Sequence, residues 1–192
     1  MPKRETEIKL PVSDLEAMRE KLVSIGAAIQ IERHFEENFV FDTQDQRLRH
    51  SRILLRVRRV RPLDSSKSAE GLLTVKADPQ ISEGVKDREE IESRVADPDQ
   101  LILIFQKLGF DVVFEYQKFR SIYSISSGAL EICVDETPVG NFLELDGDIG
   151  QIHEYASKLG FARKDYIAES YASLYFRRCR EKGVKPGNMT FE

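Results

Sequence analysis

The sequence predicts an α+β fold in which an eight-stranded antiparallel β-barrel, closed into a tunnel, carries amphipathic helices on its outside. Three observations lead there. Eight segments alternate with a period of two: 4 to 10, 35 to 42, 53 to 60, 72 to 77, 86 to 95, 114 to 125, 129 to 136 and 142 to 147. In seven of them one face is almost entirely Glu, Asp, Arg and Lys, while the other is apolar. Four further segments carry apolar residues at helical spacing. If the sheet closes, its apolar side packs outward against those helices and its charged side lines the lumen.

The elements follow in order. The first strand sets Glu5, Glu7 and Lys9 on one face and Ile8 and Leu10 on the other. A helix follows, announced by the capping box Ser13-Asp14-Leu15-Glu16, carrying Leu15, Met18, Leu22 and Ile25 and stopped by Gly26. Beyond the segment 35 to 42, Arg56 and Arg58 oppose Leu55 and Val57, and Thr74 and Lys76 oppose Leu73 and Val75. Arg88, Glu90 and Glu92 then share a face against Ile91. Loops rich in Ser, Pro, Gly and charge are expected at 62 to 71 and 77 to 84. A second helix is capped by Asp97, with Pro98 at its first position, and runs through Leu101, Ile104, Phe105 and Leu108 to Gly109. Lys118 and Arg120 flank Phe119; Glu131, Cys133 and Asp135 oppose Ile132 and Val134; Glu144 and Asp146 oppose Leu143 and Leu145. A third helix begins near Asp148 and a fourth spans about 165 to 180. The endings Lys107-Leu108-Gly109-Phe110 and Lys158-Leu159-Gly160-Phe161 are the same, which suggests repeated strand-and-helix units. Residues 1 to 182 read as a single domain, and 183 to 192, with Pro186, Gly187 and few apolar residues, as a disordered tail.

Composition narrows the function classes. Twenty-nine Lys and Arg against thirty-three Asp and Glu leave a formal charge of -4, which argues against a protein that coats nucleic acid by bulk attraction. No apolar run reaches the length of a membrane span and residues 1 to 10 lack the apolar core of a signal peptide, so a cytoplasmic protein is expected. Cys133 and Cys179 show no CxxC spacing, and His34, His50 and His153 are scattered, so neither a disulfide framework nor a zinc site is expected.

For one strand, a charged face is ordinarily the solvated side of an antiparallel sheet. Seven such faces, with acids and bases nearly balanced, point instead to a charged interior. Charges in a lumen need hydration, partners or a ligand, and a ligand for this lumen must carry both signs. A polyphosphate with Mg²⁺ or Mn²⁺ does so, because Arg and Lys donate to phosphate oxygens while carboxylates hold hard cations.

The same residues resemble a known family. Glu5-Thr6-Glu7-Ile8-Lys9 is similar to the ExExK signature of the CYTH superfamily, the triphosphate tunnel metalloenzymes, which include class IV adenylyl cyclases, thiamine triphosphatases and inorganic triphosphatases. The resemblance continues in the family's order through Asn38 to Thr43, Leu55 to Arg58, Leu73 to Lys76, Arg88 to Glu92, Lys118 to Arg120, Val134 to Glu136, Gly140 to Asp146 and Ser170-Tyr171, covering residues 3 to 176. It implies a divalent-metal-dependent enzyme, with Mg²⁺ or Mn²⁺, acting on ATP, tripolyphosphate or thiamine triphosphate. Triphosphate hydrolysis is favoured, with cyclisation of ATP to cyclic AMP and pyrophosphate, or non-catalytic binding of polyphosphate or nucleotide, as alternatives, and the oligomeric state, monomer or homodimer, is left open. By position, Lys9, Arg56, Arg58, Lys76, Lys118 and Arg120 bind the triphosphate. Asp135, Glu144 and Asp146 hold metal with Glu5 and Glu7 beside them, and Glu90 and Glu92 hold a second metal or orient the bases. The catalytic set implied is Glu5, Glu7, Lys9, Arg56, Arg58, Lys76, Glu90 and Glu92. Two positions depart from the pattern: Asp146 stands where the family usually has Glu, and Val40 where many relatives carry Tyr.

Overall fold

A computed structural model describes residues 3–64, 69–125 and 130–192. Parts of the predicted loop at 62 to 71 and the first residue of the segment 129 to 136 lie outside the described residues. The strands are β1 (Lys3–Val12), β2 (Ala27–Thr43), β3 (Leu54–Pro62), β4 (Glu70–Lys76), β5 (Gln80–Ser82), β6 (Val85–Val95), β7 (Phe110–Ile125), β8 (Leu130–Thr137) and β9 (Gly140–Gly147). The helices are α1 (Leu15–Ser24), α2 (Arg47–His50), α3 (Pro98–Lys107), α4 (Ile149–Lys158) and α5 (Tyr171–Glu181).

The strands pair antiparallel in the order β1-β9-β8-β7-β2-β3-β4-β6, and β6 returns to β1, closing an eight-stranded barrel. β5 is a short hairpin arm on β6 outside that ring. The alternation explains which face goes where. Ile8, Leu10, Ile132, Val134, Leu143 and Leu145 point outward and pack with Leu22 of α1 and Ile152, Ala156 and Leu159 beside α4. On the opposite wall Phe41, Leu55 and Val57 pack with Leu101, Ile102 and Phe105 of α3.

Three helices begin on an aspartate whose carboxylate accepts hydrogen bonds from the first-turn amides. Asp97 accepts from Gln100 N at 3.0 Å, and Asp148 from Gly150 N at 2.9 Å. The expected Ser13 box on α1 is corrected: Asp14 is the cap and accepts from Glu16 N and Ala17 N at 3.0 Å each, so the helix starts one residue later. α1 and α3 each end at a glycine of positive φ, Gly26 and Gly109, and feed directly into the two long strands β2 and β7, which pair with each other. The suspected strand-then-helix units have a structural counterpart in β1–α1, β6–α3 and β9–α4, whose helices run to Gly26, Gly109 and Gly160, all of positive φ.

Two further expectations change. The helix predicted from 165 begins at Tyr171, because Ile167 is held extended by reciprocal backbone bonds with Lys9, at 2.9 and 3.2 Å, and Ser170 then caps the helix. The segment 183 to 192 is not a free tail. Met189 is fully buried, its N–H donates to Glu115 O at 2.9 Å and its carbonyl accepts from Gln117 N at 2.9 Å. The reason is an open edge: β7 pairs with β8 only over Phe119 to Ser124, so the preceding residues present unpaired backbone groups that the C-terminal segment satisfies. Among the described residues no helix is long and apolar enough to cross a membrane.

Met189→Ala is expected to destabilise the protein by about 2 to 4 kcal/mol, through loss of a buried side chain. Urea unfolding measures it, and hydrogen exchange at the Gln117 amide should accelerate with it.

Candidate functional site: a charged lumen

The inner face of the barrel encloses a cavity of about 930 Å³, lined among others by Glu5, Glu7 and Lys9 of β1, Arg56 and Arg58 of β3, Lys76 of β4, Lys118 and Arg120 of β7 and Glu144 of β9. Strand register makes most cross-strand neighbours opposite in sign. Glu5 faces Arg88, Glu7 faces Lys86, Lys9 faces Glu144 and Arg120 faces Asp135. The side chains pair accordingly. Lys76 Nζ lies 2.6 Å from Glu5 and 3.2 Å from Glu90, Lys9 Nζ lies 2.9 Å from Glu144, and Arg88 Nε lies 3.0 Å from Glu5. Lys86 bonds Glu7, and Arg120 bonds Glu144.

Not every predicted residue reaches the cavity surface. Asp135 is fully buried behind it, accepting from Lys118 at 3.0 Å, Arg120 Nε at 2.6 Å and the Tyr171 hydroxyl at 2.7 Å. Glu90 is half-buried beside Lys76, and Glu92 is exposed, accepting from Thr74 Oγ1 at 3.0 Å. Asp146 is half-buried, facing Glu7 on one side and Glu131 on the other.

Several lumen residues were not anticipated. Glu36 is almost fully buried between Arg58 at 3.2 Å and Lys118 at 3.5 Å, with His34 Nε2 at 3.4 Å. Its inner-face neighbours on β2 are His34, Asn38 and Val40, so β2 lacks the run of Glu, Asp, Lys and Arg that marks the other strands. Lys86 extends the basic wall of β6 beside the expected Arg88; the phase of Arg88, Glu90 and Glu92 pointed to it. Tyr116 is a half-buried and Tyr171 a buried phenol among the cations: Lys9 Nζ lies 5.1 Å and Lys118 Nζ 5.5 Å from the Tyr171 ring centroid.

Protonation follows from these contacts. Burial alone would raise the Glu7 carboxyl, but Lys9 and Lys86 hold it below the usual range, and Lys9 and Arg120 do the same for Glu144 against its burial. Burial, with Lys9 nearby, pushes the Lys86 ammonium down to about 8. Asp146 goes the other way: burial, with Glu5, Glu7 and Glu131 around it, pushes its carboxyl up to about 7 despite Lys3.

Arg56 stands apart. It is buried, it donates to the Tyr116 hydroxyl at 2.9 Å and to Thr74 Oγ1 at 3.1 Å, its Nε has no partner, and among the described residues no carboxylate pairs with it. A buried cation without a counter-ion is costly unless an anion completes it. Among the described residues no group of three or more His, Cys, Asp or Glu side chains is arranged to hold a metal ion, since the lumen carboxylates are engaged by Lys and Arg.

Fold and lumen together define a β-barrel tunnel protein with a balanced charged interior. The chain belongs to the CYTH domain family, whose model matches residues 3–171. A Methanocaldococcus jannaschii protein, provisionally named an adenylate cyclase, is 32% identical over 181 residues, spanning 88% of this chain and 97% of the relative. A solved Vibrio parahaemolyticus structure, likewise provisionally named an adenylate cyclase, superimposes with a TM-score of 0.77 at 18% identity, covering 91% of this chain and 98% of that one. A Hippeastrum protein, first named as an adenylyl cyclase and described as having a dominant triphosphatase activity, matches with a TM-score of 0.63 at 19% identity over 97% and 98% of the two chains. At these identities the solved structures show the shared fold.

The Asp146 carboxyl gives a signed pH dependence. Folded, it keeps its proton up to about pH 7; unfolded, it releases it near 3.8. The folded form therefore binds more protons between those values, and this group's contribution to stability falls as pH rises through them. Asp146→Asn should match the parent in thermal melts at pH 4 and exceed it at pH 8 in metal-free buffer. An equal difference at both pH values would contradict the assignment.

Proposed function

We propose that this protein is a divalent-metal-dependent enzyme that grips the triphosphate of a small molecule in its lumen and hydrolyses it. The observation that carries the reading is Arg56: a buried guanidinium, unpaired on Nε and without a carboxylate, on the wall of a cavity that already holds Arg58, Lys118 and Arg120. That arrangement lacks an anion with several oxygens, and phosphate oxygens match guanidinium donors in geometry and charge. The lysines, now spent on carboxylates, are within the same cavity and can turn to the same oxygens.

The carboxylates Glu5, Glu7 and Glu144 line the cavity, and the candidate donor set, with Asp146 at its edge, is all oxygen, which fits Mg²⁺ or Mn²⁺ rather than a thiophilic metal. Glu7 and Glu144 are held ionised, as ligands must be, and the proton on Asp146 is one that a cation beside it would displace. When bound, such a cation supplies Lewis-acid neutralisation of the phosphoryl oxygens. The chain's own contribution is to fix the phosphates with Arg56, Arg58, Lys118 and Arg120 so that the terminal phosphorus faces its nucleophile in line. Carboxylates held this far below their usual range are weak bases. They suit cation binding better than removal of a proton from either nucleophile, water or a ribose hydroxyl.

Cyclisation of ATP to cyclic AMP is the second reading, supported by the name of the 32% identical M. jannaschii relative. The two differ in product. Incubation with ATP and Mg²⁺ or Mn²⁺ is expected to release orthophosphate, with turnover lost in excess EDTA. Cyclic AMP with pyrophosphate as the main product would replace hydrolysis by cyclisation, and full activity in EDTA would remove the metal from the reading.

Arg56 also separates function from stability. Arg56→Met is expected to melt close to the parent, because the guanidinium it removes makes no ion pair with a carboxylate. It should weaken tripolyphosphate binding by about tenfold or more, as loss of charged hydrogen bonds does, and weaken pyrophosphate binding less. Calorimetric titration with both anions measures this.

A further inference from the structure

The charged lumen leaves the apolar residues at its mouth unexplained. Ile53, which leads into β3, Ile81 on β5 and Val113 on β7 all line the cavity, and all three are solvent-exposed. Val113 is not placed there by simple alternation. β2 and β7 step from Val40↔Phe114 to Phe41↔Val112, so Val113 is the extra residue of a bulge. A bulge at a barrel rim re-aims a side chain.

The apolar rim continues inward toward the unpaired cation. Phe114, on the inner face beside Val113, packs against Phe176 of α5 with ring centroids 5.1 Å apart, and both line the cavity. Val40 lies directly between Phe114 on one neighbouring strand and Arg56 on the other. Only Val40 therefore separates Arg56 from Phe114, the inner-face neighbour of Val113, across the sheet. A bare inorganic triphosphate offers only oxygens and gains nothing from Ile53, Ile81 or Val113. An organic ester would cover them, and its apolar contact would add to the phosphate contacts. The cavity, at about 930 Å³, lies near the upper end of the roughly 300 to 1,000 Å³ typical of sites for whole organic ligands.

We infer that Ile53, Ile81 and Val113 form a subsite for the heteroaromatic group of an organic triphosphate, and that they make the protein select such an ester over inorganic tripolyphosphate. The inference rests on the triphosphate reading of the lumen. The side-chain amides of Gln44 and Gln46, also on the cavity wall, supply donors and acceptors for the edge of such a group.

The test is steady-state kinetics of the full chain with ATP, thiamine triphosphate and tripolyphosphate, for the parent and for the double variant Ile81→Ser, Val113→Thr. The parent should favour an organic ester, and in the variant the ratio of its KM to that of tripolyphosphate should rise about tenfold, the scale on which a small apolar contact discriminates. A parent that prefers tripolyphosphate to both esters, or a ratio the variant does not move, overturns the subsite and leaves the triphosphate reading standing. Failure of the parent to bind or turn over any of the three overturns the triphosphate reading, and the subsite falls with it.

Discussion

Burial of charge inside a closed sheet is the constraint on which the rest of this structure depends. Closing eight strands removes the inner face from bulk water, and ionised side chains there are stable only if neighbours neutralise them. Register does this. Glu5 meets Arg88, Glu7 meets Lys86, Lys9 meets Glu144 and Arg120 meets Asp135 as direct cross-strand neighbours. A slip of one residue would turn every one of these side chains outward and bring Ile8, Leu10, Leu143 and Leu145 into the lumen. The outer apolar core and the inner ion-pair lattice therefore select the same register, which is why so polar an interior is compatible with a unique fold.

The lattice also explains how the site stands ready. Buried ion pairs add little net stability against an apolar alternative, so the pairs between Lys9 and Glu144 or Lys76 and Glu5 are best understood as partners that a ligand of both signs can exchange. Arg56 and Asp146 mark the two imbalances. One is a cation without an acid, and the other an acid among acids whose proton is retained to about pH 7. These two imbalances are what the proposed ligand, a phosphate chain with a divalent cation, would offset.

Closure is completed by elements outside the strands. Because β8 covers only the C-terminal part of β7, the earlier part would be an open edge. The segment through Met189 pairs with that edge, and α5 packs on Phe114 and Phe142, which brings the Tyr171 hydroxyl to Asp135. Lys118 is thus held between strand, helix and a buried carboxylate.

The sequence by itself determined the alternation, and with it the charged inner face, the outward hydrophobic face and the identity of Glu5, Glu7, Lys9, Arg56, Arg58, Lys76, Lys118, Arg120 and Glu144 as lumen residues, because a strand's period of two is local. Glu36 escaped notice because its inner-face neighbours His34, Asn38 and Val40 include no Asp, Glu, Lys or Arg. Helix starts were legible where one aspartate stood alone, as at Asp97, and misjudged by one residue where Ser13 and Asp14 competed. Only the tertiary structure decided which strands are neighbours, and so which charge pairs with which. It alone left Arg56 without an acid, put Asp135 behind the cavity wall, drew the C-terminal segment onto β7 and turned Val113 to the mouth. Each of these depends on contacts between residues distant in the chain, and no local pattern of side chains encodes which partner a closed sheet will bring.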